Sequence, residues 1–178
     1  DTTIEQHWSV SELDIATECL TLGDEMNQFD VALLVNDSGR LDADLGLNIS
    51  TMDFKLDGTV EGFELGDTYK YVVSAVNLSS MAGTVGADVE IEGNILDFLK
   101  MNIAGEVKVE ELALNAHDGS SLLTANTLSA TINRLNFDEQ YYNFAAVTAH
   151  GYATRFILDK SGTNFDELFY SEPEISVE

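Results

Sequence analysis

The residue types that could do chemistry gather near the C-terminus, in "GYATRFILDKSGTNFDELF" (residues 151–169). Asp159, Ser161, Asn164, Asp166 and Glu167 offer side-chain oxygens within nine residues, and clustered carboxylate and amide oxygens suit calcium. The order D-x-S-G-x-N-x-D-E differs from the EF-hand loop in the place of its glycine and of its terminal Glu. Asp159, Asn164 and Asp166 are therefore a calcium candidate, set against a simpler reading. In that reading a strand ends in a tight turn with Gly162 at a positive φ, and Asn164 then caps a helical turn holding Asp166 and Glu167. The turn reading is the preferred one.

Other catalytic signals are missing. His7, His117 and His150 lie far apart and in none of the spacings that place two imidazoles on one metal. No GxSxG, GxGxxG or GxxxxGK[ST] occurs. Cys19 stands alone, so no disulfide within the chain is possible, and its apolar neighbourhood "DIATECLTLG" predicts a buried, inert thiol. Paired carboxylates are too common here to single out an acid–base pair. Trp8 is solitary and is expected to pack on the first strand. These observations predict a non-enzymatic protein without a cofactor.

The charge balance narrows the partners. Asp and Glu number 32 against 8 Lys and Arg, a net charge of −24. A field of that sign repels phosphate backbones and anionic headgroups, so neither nucleic acid nor docking through a basic patch is expected. The acids read first as a solvated surface. No run approaches the roughly 18 apolar residues of a membrane-spanning helix. The 178 residues suit a single β-rich domain. Without an initiator Met, the chain is expected to be part of a longer protein, with residues 171–178 as a flexible tail.

Alternation dominates the remainder. In "LDADLGLNI" (41–49) Leu41, Ala43, Leu45, Leu47 and Ile49 share one phase, while Asp42, Asp44 and Asn48 take the other. "FDVALLV" (29–35) precedes it across the turn-rich "NDSGR", which predicts a hairpin. Residues 52–57, 85–93 and 101–110 repeat the pattern. Consecutive Glu110 and Glu111 shift the phase so that Leu112 and Leu114 continue the apolar side, which predicts a β-bulge. "LLTANTLSATINRLNF" pairs back, and strands at 142–148 and 154–159 follow around Gly151. Pro173 is the sole proline and interrupts no ladder. The expected fold is mainly β: a meandering antiparallel sheet of about eight or nine strands, shaped as a curved groove or a sandwich. One to three short helices are expected at 67–80, 93–101 and 163–170.

The segment "LLTANTLSATINRLNFDEQYYNFAAVTAHGYATRFILDKSGTNFDELF" resembles the AsmA-like family of bacterial envelope proteins. The matching elements are two alternating strands and the turn "DKSGTNFDEL", against a family pattern D-x-x-G-x-x-N-x-D-x-L. Upstream, "LSSMAGTVGADVEIEGNILDFLKMNIAGEVKVEELAL" looks like the preceding repeat, so the likeness covers about residues 78–169. Phe165 stands where the family often has Trp, and the family's Gly-Pro is absent.

The resemblance implies a non-enzymatic module that serves phospholipid transfer or outer-membrane assembly. It further implies a place in the cell envelope, periplasmic and anchored to the inner membrane in the full-length protein, with phospholipid acyl chains or envelope proteins as partners. Phe54, Leu56, Val89, Ile91, Ile103, Val107 and Val109 are the expected lipid-contacting surface, if their face stays open. Alternation alone leaves a closed sandwich or barrel core in contention and indeed favours it. The alternative function is then a β-sandwich adhesion module recognising carbohydrate or protein.

Overall fold

Alternating sequence makes strands here, and strand follows strand without crossover. The computed structural model describes residues 9–69, 76–160 and 162–166. Its elements are β1 (Val10–Ala16), β2 (Asn27–Val35), β3 (Gly39–Leu47), β4 (Asp53–Glu64), β5 (Leu78–Asn94), β6 (Asn102–Ala116), β7 (Ser121–Asn136) and β8 (Tyr141–His150). The short β9 (Ala153–Thr154), β10 (Leu158–Asp159) and β11 (Gly162–Thr163) complete the chain. Strands β1 to β8 lie side by side in sequence order, every pair antiparallel. β9 pairs with β7 beyond the end of β8 to complete nine strands. The sheet is open: it closes into neither a barrel nor a sandwich, so the closed core is not formed. β10 and β11 make a separate small hairpin.

Registers bring the apolar phases of successive strands into line. Phe29, Leu45, Leu56, Ile91, Ile103, Leu135 and Tyr142 are paired neighbours across β2 to β8. The adjoining row runs Val31, Ala43, Gly58, Val89, Gly105, Ile132, Phe144, and the next Leu33, Leu41, Val60, Ala87, Val107, Ala130, Val147. Because neighbours in a ladder share a face, these rows form one apolar surface. The other face carries the acids.

With no second layer, burial is shallow. Among the described residues the buried apolar side chains are Ala43, Leu78, Leu112, Leu122, Ala125 and Ile132. The accessible surface is 12136 Å², against about 8,500 Å² for a compact chain of this mass. The helical elements described are 3-10 turns at Leu65–Thr68 and Phe98–Lys100. The second fits the apolar knot in "GNILDFLKM". The helix expected at 67–80 is overturned at its end, where Leu78 already begins β5, and its middle lies outside the described residues. His7, Trp8, Glu167, Leu168, Pro173 and the expected tail at 171–178 lie outside them too.

Asparagines hold one end of the sheet together. Asn27, Asn48 and Asn136 are the buried polar residues. The Asn27 amide donates to the Thr21 carbonyl and accepts from the Thr21 N–H at 2.6 Å. Asn48 donates to the Asp24 carbonyl at 2.9 Å and accepts from the N–H groups of Ser50 and Thr51. Asn94 donates to the Thr51 carbonyl and the Asp53 carboxylate, and Asn136 donates to the Lys100 carbonyl. The Asn94 bond, with that of Thr51 Oγ1, holds the Asp53 carboxyl below its ordinary pKa. A depressed carboxyl stabilises the fold above its unfolded pKa and loses that contribution as pH falls through the folded value.

Bulges tune the plane. Glu111 has φ 51° where the β5–β6 register shifts, the bulge that the paired glutamates predict. Gly105 has φ 131°, and a Cβ there would meet the Asp88 carbonyl oxygen at 2.1 Å and Val89 Cα at 2.7 Å. Gly86, in the same strand pair, has room, with its nearest atom at 3.6 Å. Gly105→Ala is therefore expected to cost about 1–3 kcal/mol from the backbone conformation alone, while Gly86→Ala stays within about 0.5 kcal/mol. Urea unfolding of the two variants against the parent chain checks this, and equal losses would contradict it.

Candidate functional site

The candidate surface is built by register. Leu56, Ile91 and Ile103 are consecutive partners on β4, β5 and β6. Val89 lies one row away between Gly58 and Gly105, and Val107 and Val109 continue the face along β6. Phe54 stands opposite Leu47 and Gly93. All seven residues thus lie on the same side of the sheet, and all are half-buried. Gly58 and Gly105 stand on either side of Val89 in its row, beside the row of Leu45, Leu56, Ile91 and Ile103.

The apolar surface continues beyond those seven. β8 adds Tyr142, Phe144 and Val147, all well exposed. Past the asparagine-clamped end, Leu22 is 85% and Leu96 80% exposed, with Leu20, Phe98, Leu99 and Phe137 also uncovered. Sequence alternation could not find these loop positions, because loops carry no period.

The opposite face is electrostatically unfavourable to itself. Asp30, Asp44, Asp57 and Glu90 are successive partners across β2 to β5, and Asp88 pairs with Glu106. Asp14, Asp30, Asp42, Asp44 and Asp57 surround a shallow depression of about 380 Å³. Few cations relieve them: Arg40 pairs with Asp42 at 2.6 Å and Lys55 with Glu90 at 3.7 Å. The Arg40 contact holds the Asp42 carboxyl below its usual range. Among the described residues no three His, Cys, Asp or Glu come together to hold a metal ion.

In the C-terminal hairpin the oxygens of Asn164 and Asp166 serve the turn, while Ser161 and Glu167 lie outside the described residues. Asn164 Oδ1 accepts from the Ile157 N–H at 2.8 Å, and its amide donates to the Arg155 carbonyl at 2.8 Å. Asp166 Oδ2 accepts from the Thr163 N–H at 2.6 Å, while the Asp166 N–H donates to Thr163 Oγ1. That reciprocal pair is a capping box, so Thr163 is the capping residue in place of Asn164, which clamps the preceding segment. Gly162 has φ 133°, and a Cβ there would meet Asp166 Oδ2 at 2.6 Å. Asp159 pairs with Gly162 in the ladder. Phe156 stacks on Phe165 at 6.1 Å, yet Phe156 and Leu158 remain exposed.

The remaining single residues are quickly placed. Cys19 is exposed, in the segment between β1 and β2, so the buried thiol expected from its apolar neighbours is overturned. His117 sits in the β6–β7 turn, and His150 ends β8. No helix among the described residues is long and apolar enough to cross a membrane. No protein-family model, curated protein or solved structure matches the chain.

Two measurements follow from these faces. Asp44→Asn removes two like-charge cross-strand contacts and is expected to stabilise the fold by about 0.2–1 kcal/mol, a gain that shrinks in high salt. A loss of stability would show that the acidic ladder is held by something other than its backbone. For the hairpin, millimolar calcium is expected to raise the melting temperature of the parent chain and of Asp166→Asn equally at matched ionic strength. A calcium-dependent rise confined to the parent would make the turn a cation site.

Proposed function

We propose that this chain is a non-enzymatic envelope module of AsmA-like type, whose open apolar sheet face receives phospholipid acyl chains in lipid transfer or outer-membrane assembly. One observation supports the reading above the others. An apolar surface some seven strands wide, about 29 Å at the usual strand spacing, is left bare by every described element. Surfaces of this kind on a water-soluble face mark a binding site. Acyl chains suit it because the central contacts, Leu56, Val89, Ile91, Ile103, Val107 and Val109, are aliphatic and lack polar groups that would fix a polar ligand's orientation. The acidic reverse face keeps the sheet in solution while the apolar face is occupied.

Under this reading the protein acts in the periplasm, within a longer chain held at the inner membrane, with envelope proteins as further partners. No covalent step is required. The row through Gly58, Val89 and Gly105 would seat a chain running across the strands, with Leu56, Ile91 and Ile103 on one flank and Val107 on the other.

Native mass spectrometry of gently purified protein tests the reading. The parent chain is expected to retain phospholipid, Ile91→Asp to lose it by about tenfold or more, and Glu106→Gln, on the acidic face, to keep it. Circular dichroism confirms that both variants fold. Absence of phospholipid from folded parent protein, or equal retention by both variants, would refute the proposal.

A further inference from the structure

The two edges of the open sheet are not alike. β1 is blunted: Glu12 and Asp14 put charges on the edge. Such edge charges are one way sheets avoid pairing with other chains. β8, at the other edge, reads "YYNFAAVTAH" without a charged residue or proline over ten residues. Its neighbour β7 carries Arg134 as its single charged residue. On the polar face these two strands present Ser129 bonded to Thr148 and Asn133 bonded to Asn143, where the strands before them present carboxylates. Among the described residues no strand lies outside β8. Its outward backbone groups ask for an extended chain.

We propose that β8 is a self-association edge, on which a second copy of this chain pairs its own β8 antiparallel about a two-fold axis. The β7–β8 register supplies the argument. Ile132 pairs with Phe144 and Thr131 with Ala146, so Ala145 is an extra residue that reverses the alternation within β8. Tyr142 and Phe144 before it, and Val147 and Ala149 after it, consequently share the apolar face. Antiparallel self-pairing centred between Ala145 and Ala146 then sets Phe144 against Val147 and Tyr142 against Ala149 of the second copy. Asn143 meets Thr148, and Tyr141 meets His150. An unbulged strand in this register would oppose apolar to polar at every step. Tyr142, Phe144 and Val147, now 55%, 46% and 61% exposed, gain aromatic and β-branched cross-strand partners. Charge agrees: each chain bears −24, and this is the edge where two copies bring no carboxylates face to face.

The inference does not rest on the lipid reading and is tested without lipid. Analytical ultracentrifugation is expected to show a concentration-dependent dimer. Asn143→Lys with Thr148→Lys places Lys against Lys twice across the axis and is expected to weaken the dimer by about tenfold or more. Asn143→Lys with Thr148→Glu restores it. Non-specific electrostatics predicts the reverse order, since two added lysines reduce the net charge from −24 to −22. In a Cys19→Ser background, Asn143→Cys with Thr148→Cys should form intermolecular disulfides, because directly opposed residues lie within bridging distance. A chain that stays monomeric at every concentration overturns the proposal. So does a dimer indifferent to the lysine pair, or one in which Tyr141→Cys with Asn143→Cys cross-links equally well.

Discussion

Among the described residues, most apolar side chains on this sheet have only in-plane neighbours to pack against; Leu78, Leu112 and Leu122, at one end, are buried exceptions. In a two-layer domain a strand residue gains most of its burial from the facing layer. Here the cross-strand partner and its diagonal neighbours supply most of it, so register carries the weight that a core carries elsewhere. Slipping one strand by a single residue would turn its apolar set to the acidic side. The rows through Leu56, Ile91 and Ile103 and through Val60, Ala87 and Val107 are the interaction on which the sheet depends. Bulges at Glu111 and Ala145 keep the apolar phase on one side where the sequence alone would have lost it.

A single layer also leaves its connections without a core to rest on, and asparagine takes over that task. A primary amide both donates and accepts, so one side chain can satisfy a carbonyl on one loop and an N–H on another. Asn48, Asn94 and Asn136 do so in succession along the end where β4, β6 and β8 begin, and Asn27 holds the Thr21 backbone at the start of β2. Backbone bonds from Ile95 to Met52 and from Asp138 to Leu99 join the same loops. Asn164 repeats the device in the C-terminal hairpin, holding both Arg155 and Ile157. Buried amides left unpaired would be costly, so these bonds specify loop positions as well as satisfying them.

Much of the sheet was legible because period-two alternation is the direct image of a strand with unlike faces. The strands at 29–35, 41–47 and 101–110, the bulge at Glu111 and the bend at Gly151 all follow from it. β1 escaped because its bulge at Glu12 separates Ser11 from Leu13 and Ile15. The first half of β5 escaped because Ser79, Ser80 and Gly83 are poor strand residues. Openness was legible only as one of two expectations, the curved groove beside the sandwich. Alternation says that Val89 and Ile91 share a face and is silent on what covers them, which is why a closed core was the stronger expectation. Cys19 misled for a related reason: apolar neighbours imply burial only where a second layer exists.

The strict succession of strands has a consequence for how such a molecule can change. From β1 to β8 each strand touches the strands before and after it in sequence, so stability is close to a sum of local terms, as in solenoids. Melting should then proceed from the margins inward, with the long β5, β6 and β7 as the last to separate. Growth is equally modular. Duplicating a hairpin would widen the sheet by two strands while leaving every existing contact in place, so a lineage could lengthen this surface without redesigning it.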